Sequence, residues 1–221
     1  MLPKEVTQIY LVDDHPLVRK GLRLVIEAEN ELFVCGEAAT GEEALQDLPE
    51  LKTDLVLVDI SLPGMSGLDL VQKLDSILPS TPCLVISRHD ETLYAERAIR
   101  AGARGYVMKS EGADAVIEAI RKIRVGGIYV SSAINERLLQ GIASGQQSFN
   151  QSPTEALSGR ELEVFEMTGH GLGTRDIANR LDLSIKTVES YRARIKMKLN
   201  LTNAAELVQH AVQWVESESA Y

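Results

Sequence analysis

Short apolar runs alternate with amphipathic stretches through the first 125 residues of the chain. The runs are continuous and rich in valine, leucine and isoleucine, which is typical of strands buried on both faces. Because a stretch with helical spacing follows each run, the pattern predicts five βα units, a parallel sheet and helices on both of its faces. The predicted strands cover 8–13, 32–38, 54–59, 82–87 and 105–109.

A different pattern occupies the rest of the chain. One more helix is predicted over 131–143, and the polar stretch 144–153 indicates a linker because it is poor in aliphatic residues and ends in proline. The four segments that follow all have helical periodicity, with Ser158 and Glu161 as a capping box and Ser184 as an N-cap. The four segments cover 159–171, 174–182, 185–200 and 203–216. We therefore expect domains at 1–130 and 154–221, joined by a helix and flexible linker at 131–153.

Charge and composition narrow the function classes. The net charge of −9 argues against nucleic acid, but residues 186–198 hold five Lys/Arg against one Glu, a local basic stripe. The chain has no apolar run near the ~20 residues that span a bilayer and no signal-peptide pattern, so we expect a cytoplasmic protein. Cys35 and Cys83 lie in strand-like runs, which favours buried, reduced thiols.

Carboxylates stand where two of the predicted strands end. Asp59 closes the apolar run 55–58, and Asp13 and Asp14 follow the first run. An aspartate that caps a turn or helix would explain Asp59 alone equally well. If the strand order is 2-1-3-4-5, however, the first and third strands are neighbours and the three carboxylates converge. Such a cluster favours a divalent cation, with Mg²⁺ the cellular default.

Two more polar residues end predicted strands. Ser87 closes 82–87 and Lys109 closes 105–109. A hydroxyl and an ammonium near a metal-bound carboxylate would surround an anion carried on Asp59, and phosphoryl transfer needs such positive charge and donors around the phosphoryl oxygens. Taken singly, Ser87 is explained as a turn former and Lys109 as a solvated lysine.

The combination of motifs is similar to the receiver domains of response regulators. LVDDHPLVRKGL, LVLVDISLPGMSGLDL, LVIS and GARGYVMKS carry the resemblance, over residues 7–125. It implies a flavodoxin-like (βα)5 fold in which Asp59 takes a phosphoryl group from a sensor histidine kinase. The roles that the resemblance implies are Mg²⁺ binding by Asp13, Asp14, Asp59 and the main-chain carbonyl of Ser61, phosphoryl contacts by Ser87 and Lys109, and a mobile aromatic switch at Tyr106.

Two other folds, one that uses a strand-end aspartate and one that binds phosphate, fit the sequence less well. A haloacid-dehalogenase-like phosphatase would have a second aspartate where Ser61 stands. A flavodoxin-like nucleotide binder would have a Gly/Ser/Thr-rich loop after the first strand, whereas DDHPLV would repel phosphate.

The segment 185–200 has two faces at helical spacing. Val188 and Ile195 fall on an apolar side with Tyr191 and Leu199, while small and basic residues lie opposite, as suits a helix in the DNA major groove. A solvated charged helix is the simpler alternative. LSGRELEVF, GLGTRDIANRL, SIKTVESYRARIKMKL and AAELVQHAV are similar to the LuxR-type helix-turn-helix domain, over residues 157–215.

The second resemblance implies how this helix meets DNA. Glu189, Ser190 and Ala193 would face bases, and Lys186, Thr187, Arg192 and Arg194 would lie nearer phosphates. Glu189 stands where a basic residue is frequent in that family. It would either accept a hydrogen bond from a cytosine amine or repel phosphate and weaken binding.

A receiver followed by this domain is the organisation of the NarL/FixJ class of response regulators. We therefore expect a phosphorylation-dependent DNA-binding transcriptional regulator and not an enzyme. Its expected partners are a sensor histidine kinase, double-stranded DNA and, in the active form, a second copy of the chain, with no membrane. The alternative is an interaction module on the same fold that needs no phosphorylation.

Overall fold

The computed structural model describes residues 6–143 and 153–218. The chain divides into two compact units, Met1–Leu138 and Leu139–Tyr221. The predicted linker 144–153 lies, except for its last residue, outside the described residues, so the predicted domain limits stay predictions.

The first unit is a five-stranded parallel sheet with order β2-β1-β3-β4-β5, as predicted. Its strands are β1 Thr7–Val12, β2 Leu32–Ala38, β3 Leu55–Val58, β4 Cys83–Ser87 and β5 Gly105–Met108. Its helices are α1 Pro16–Glu27, α2 Gly41–Asp47, α3 Gly67–Ile77, α4 Glu91–Arg100 and α5 Ala113–Arg124. The helix α6 Ser132–Ala143 crosses the division between the units.

The strands are apolar throughout because helices cover both faces of the sheet. All four residues of β3 and all five of β4 are buried. One face packs against α1 and α5 through a cluster that includes Ile9, Leu57, Ile86, Val107 and Ile120. Burial of this apolar surface is the main stabilising contribution to the unit.

The register of the strands brings the carboxyl ends of β1 and β3 side by side. Val12 pairs with Val58, and the main-chain N–H of Asp59 donates to the Val12 carbonyl at 2.8 Å. Three strands end one residue earlier than predicted, so Asp13, Asp59 and Lys109 stand just beyond the ladder. Their side chains are therefore at the sheet edge and not within a face.

The two cysteines are free, as expected. Cys83 is buried in β4, and burial raises the pKa of its thiol to about 12, which keeps it protonated and unreactive. Cys35 is only half-buried, contrary to the expectation, because β2 is an edge strand of the sheet.

The second unit is helical, as predicted. Its helices are α7 Gly159–Gly169, α8 Thr174–Arg180, α9 Ile185–Lys198 and α10 Ala204–Glu218, preceded by a 3-10 turn at Pro153–Ala156. Ser158 and Glu161 form the predicted capping box, and the Ser184 hydroxyl caps α9 by accepting from the Thr187 N–H. Its core contains Leu162, Phe165, Ile177, Val188, Ile195 and Leu207.

Gly67, the first residue of α3, allows the chain to turn tightly beneath Asp59. A β-carbon at this position would lie 1.9 Å from the Asp59 carbonyl oxygen, closer than any side chain can approach. Its own N–H donates to the Ile60 carbonyl at 2.7 Å. The position of Asp59 therefore depends on a residue without a side chain.

Gly67→Ala should destabilise the first unit by about 1–3 kcal/mol or more, because backbone must shift to admit the methyl group. The matched control is Gly21→Ala in α1, where a β-carbon meets nothing within 4 Å. That change should stabilise by about 0.5–1 kcal/mol, since alanine is the better helix former. Urea unfolding of both variants checks the pair; equal effects of the two would contradict this account.

Candidate functional site

A lysine lies between two buried carboxylates at the edge of the sheet. The Nζ of Lys109 is 2.6 Å from Asp13 Oδ2 and 2.7 Å from Asp59 Oδ2. Both aspartates are almost fully buried, with Asp59 3% exposed. Three strands, β1, β3 and β5, thus deliver the three charged groups to one place.

The electrostatics of Asp59 reflect this burial. Loss of solvent raises the pKa of its carboxyl, and the nearby Asp13 charge adds to the rise. The Lys109 ammonium and the main-chain N–H of Ser61 favour the ionised form and oppose it. Asp59 is therefore a poorly solvated carboxyl group whose ionised form is favoured mainly by the Lys109 ammonium.

An acidic cluster that fits a divalent cation surrounds Asp59. One ligand atom from each of Asp13, Asp14, His15 and Asp59 lies within 4.8 Å of the others. The predicted metal ligands Asp13, Asp14 and Asp59 are thus brought together. Of Ser61, the main-chain N–H bonds to Asp59. Carboxylate oxygens are the ligands that Mg²⁺ prefers.

His15 joins this cluster although no role was predicted for it. Its Nδ1 is 2.5 Å from Asp14 Oδ1, and its main-chain N–H donates to Asp13 Oδ1 at 2.8 Å. The signal in the sequence is its place directly after Asp13 and Asp14, where α1 begins.

The predicted switch residues Ser87 and Tyr106 both contact His89. The His89 N–H donates to Ser87 Oγ at 3.2 Å, and the Tyr106 hydroxyl donates to the His89 carbonyl at 2.8 Å. His89 Nε2 also lies 2.8 Å from Ser61 Oγ, and its ring is 4.4 Å from that of Tyr94. His89 therefore connects the β3–α3 and β4–α4 loops with the switch residues, a connection the sequence does not show.

Tyr106 lies inside the unit, 1% exposed. Its hydroxyl donates to the His89 carbonyl there, so burial of Tyr106 does not leave this hydroxyl without a hydrogen-bond partner. Ser87 is also fully buried, and its carbonyl accepts from the Lys109 N–H at 2.7 Å. Ser87 and Tyr106 are thus linked through the main chain of His89, and Lys109 is linked to Ser87 through a main-chain hydrogen bond.

In the second unit, α9 has the two faces that its sequence predicts. Val188 and Ile195 are fully buried, while Tyr191 and Leu199 are half-buried. The opposite side is exposed along its length. The exposed residues are Ile185, Lys186, Glu189, Ser190, Ala193, Arg194, Met197 and Lys198.

The cations of α9 differ in how far the protein already engages them. Arg194 lies 3.4 Å from Glu161 Oε1 and over the ring of Tyr191, and Arg192 Nη1 donates to Thr174 Oγ1 at 2.9 Å. Within the described residues, the Lys186 ammonium has no ion pair or hydrogen bond. The predicted phosphate contacts are therefore unequal, and of the cations Lys186, Arg192 and Arg194, Lys186 is the one most available to a ligand.

Glu161 fixes α9 against α7, a role beyond the predicted capping box. Its buried Oε2 accepts from the Ser158 N–H at 2.9 Å and from Lys198 Nζ at 2.6 Å. Burial opposes ionisation, but the bonds from Lys198 and Ser158 and the charges of Lys198 and Arg194 hold the pKa of Glu161 below its usual value. The carboxylate thus orients the last two turns of α9.

The last helix, α10, divides its apolar residues between two environments. Leu207 and Ala211 are buried in the core, Val215 is half-buried and Val208 is 38% exposed. Leu207 and Ala211 belong to the core.

Comparisons with known proteins identify both parts of the chain. Residues 9–121 match the response regulator receiver domain, and residues 155–211 match the luxR family of bacterial regulatory proteins. The chain belongs to the NarL/FixJ class of response regulators, with a receiver and a LuxR-type DNA-binding domain. These families are regulatory and not enzymatic, as expected.

Similar proteins cover nearly the whole chain. The oxygen regulatory protein NreC of Staphylococcus aureus is 35% identical over 210 residues, which is 93% of this chain and 97% of that protein. RcsB of Salmonella enterica serovar Typhimurium, solved bound to a promoter with the phosphomimetic BeF3-, is 25% identical with a TM-score of 0.60 over 94% of this chain and 99% of that one. A LuxR-family response regulator from Aurantimonas sp. SI85-9A1 is 33% identical, with a TM-score of 0.57, over 65% of this chain and 100% of that one.

Among the helices within 6–143 and 153–218, none is long and apolar enough to cross a membrane.

Glu161→Gln should lower the free energy of unfolding of the second unit at pH 7. Glutamine keeps the capping box but loses the charge that Lys198 and Arg194 face, at a cost of about 1–2 kcal/mol because both cations are partly exposed. Since the folded-state pKa is lowered, this stabilisation is present above the ordinary glutamate pKa and disappears as the pH falls through the lowered value.

Urea unfolding across a pH series measures the difference between wild type and Glu161→Gln. The matched control is Glu189→Gln, which removes an exposed carboxylate from the same unit and should change stability by less than about 0.5 kcal/mol. Equal stability of Glu161→Gln and wild type at pH 7 would contradict the role given to Glu161.

Proposed function

We propose that Asp59 accepts a phosphoryl group from the histidine of a sensor kinase, and that this modification controls DNA binding through α9. The observation that carries the proposal is the placement of Lys109 Nζ against both Asp59 and Asp13 in a buried acidic cluster. An aspartate that only caps a turn or a helix would need neither a second buried carboxylate such as Asp13 nor an ion pair with Lys109 at the end of β5. Such a regulator would act in the cytoplasm, where the chromosome lies.

The transfer is a substitution at phosphorus. A carboxylate oxygen of Asp59 forms the new P–O bond as the P–N bond to the kinase histidine breaks, and the imidazole leaves with the electron pair and takes up a proton. Lys109 already touches the nucleophile and would follow the negative charge onto the phosphoryl oxygens. The hydroxyl of Ser87 would supply a second contact after releasing the His89 N–H.

Asp13, Asp14, Asp59 and the main-chain oxygen of Ser61 would hold Mg²⁺. When bound, the ion would neutralise charge on the carboxylates and on the transferring phosphoryl group. The oxygen-rich donor set supports this assignment.

His89 gives the modification a route to the rest of the receiver. If Ser87 Oγ moves to a phosphoryl oxygen, the His89 N–H loses its acceptor, and the loop that also holds the Tyr106 hydroxyl is released to shift. Movement of Tyr106 and of this loop would change the receiver surface and favour a dimer on DNA. RcsB has been solved as dimers bound to DNA, which supports a homodimer as the active form here.

Asp59→Asn should abolish labelling by acetyl phosphate in the presence of Mg²⁺. The wild type should gain one phosphoryl group. The variant should gain none, because asparagine keeps the shape of the side chain but lacks the nucleophilic oxygen anion. Mass spectrometry of the intact chain checks both proteins, and circular dichroism checks that the fold is retained. Equal labelling of the two would place the acceptor elsewhere, whereas no labelling of either protein would support the alternative of an interaction module that needs no phosphorylation.

Lys109→Ala should separate metal binding from phosphoryl transfer. The change frees two carboxylate oxygens, so calorimetry should find Mg²⁺ bound at least as tightly as in wild type. Labelling by acetyl phosphate should slow by about 10²-fold or more, because a contact to the developing charge is lost. Loss of Mg²⁺ binding instead would show that the lysine organises the metal site.

Phosphorylation of the full chain should strengthen DNA binding, and added salt should weaken it, because phosphate contacts displace counterions. Lys186→Ala should lower the slope of log affinity against log salt by about 0.9. Arg194→Ala should lower it by less, since Glu161 already matches part of its charge. Fluorescence anisotropy over a salt series measures the slopes for both variants. An unchanged slope for Lys186→Ala would show that Lys186 does not contact a DNA phosphate.

A further inference from the structure

Glu189 is an exposed acidic side chain in the middle of a surface proposed to meet DNA. It is the fifth residue of α9, which begins at Ile185, so it lies in the N-terminal half that contacts base edges in helix-turn-helix proteins. Within residues 6–143 and 153–218, no ion pair or hydrogen bond engages its carboxylate. The protein therefore leaves this charge available to a ligand.

The other two residues expected to face bases offer little hydrogen bonding. The Ser190 hydroxyl donates to the Lys186 carbonyl at 2.9 Å, one turn back along the same helix. Ala193 has only a methyl group. Of the three positions, Glu189 alone presents a polar group that is not already bonded to its own helix.

A carboxylate in the major groove can accept hydrogen bonds but cannot donate them. Guanine and thymine present only acceptors on their polar groups there, and adenine places its N7 acceptor beside its N6 amine. Cytosine presents the N4 amine with no acceptor next to it on the same base. A hydrogen bond from the cytosine N4 amine would therefore compensate best for bringing the negative charge of Glu189 close to the DNA phosphates.

We infer that Glu189 selects a cytosine in each half-site of the operator. The inference rests on the proposed DNA-binding function and adds to it the base that this position reads. One such contact should favour cytosine over another base by about 5-fold, the lower end of the range for bidentate contacts. Glutamine at this position should prefer adenine, because its amide can donate to N7 while accepting from N6.

The test is selection of random double-stranded DNA by the full chain, phosphorylated with acetyl phosphate and Mg²⁺. Wild type is compared with Glu189→Gln, which keeps the size of the side chain, and with Glu189→Asp, which keeps the charge but is shorter by one methylene. Since Glu189 is exposed and has no ion pair or hydrogen bond within the described residues, both variants should fold normally.

Wild type should enrich cytosine at one position of each half-site, Glu189→Gln should enrich adenine there, and Glu189→Asp should lose the preference without binding random DNA more tightly. Identical selected sequences for wild type and Glu189→Gln, with only an overall gain in affinity, would overturn the inference and show that Glu189 merely repels phosphate. Selection of no sequence by wild type would overturn the proposed DNA-binding function itself, and the inference with it.

Discussion

The ion pairs of Lys109 with Asp13 and Asp59 are the interaction on which the receiver site depends. Moving a carboxylate out of water costs several kcal/mol, and two neighbouring buried carboxylates repel each other as well. The lysine compensates for both effects at distances of 2.6 and 2.7 Å. Because the three residues directly follow different strands, the compensation exists only when β1, β3 and β5 are correctly assembled.

The same arrangement makes the site responsive to a change in charge. A phosphoryl group on Asp59 would replace one negative charge by about two and would redirect the donors around it. Ser87 and Tyr106 are both bonded to the main chain of His89, so neither can move without affecting that residue. A local electrostatic change at Asp59 would thereby reach the loop that contains His89, which would be a basis for switching between two discrete arrangements.

The helical unit uses a buried carboxylate in a different way. Glu161 caps α7 through Ser158 and holds α9 through Lys198 and Arg194, so one charge orients the helix proposed to bind DNA. This engagement reduces the positive charge that the C-terminal half of α9 offers to a ligand. Lys186 and Glu189, nearer the start of the helix, have no ion pair or hydrogen bond within the part of the chain that the structure describes. If α9 binds DNA as proposed, Lys186 would attract the DNA backbone and Glu189 would select a base.

Local patterns in the sequence were enough to predict much of this protein. Apolar runs and helical periodicity identified the strands and helices, the capping box at Ser158 was correct, and the strand-end positions of Asp13, Asp59 and Lys109 indicated one acidic edge. These features follow from residues that are close in sequence, or from the general rule that parallel strands end at the same edge.

Only the tertiary structure decided which partners these residues have. The contact of His89 with Ser61, the hold of Glu161 on Lys198 and the burial of Leu207 beside an exposed Val208 depend on register and helix packing between distant segments. A sequence pattern records how polar a position is and its local spacing. It does not record which distant side chain completes a hydrogen bond or compensates for a buried charge, because that is set by how the elements pack together.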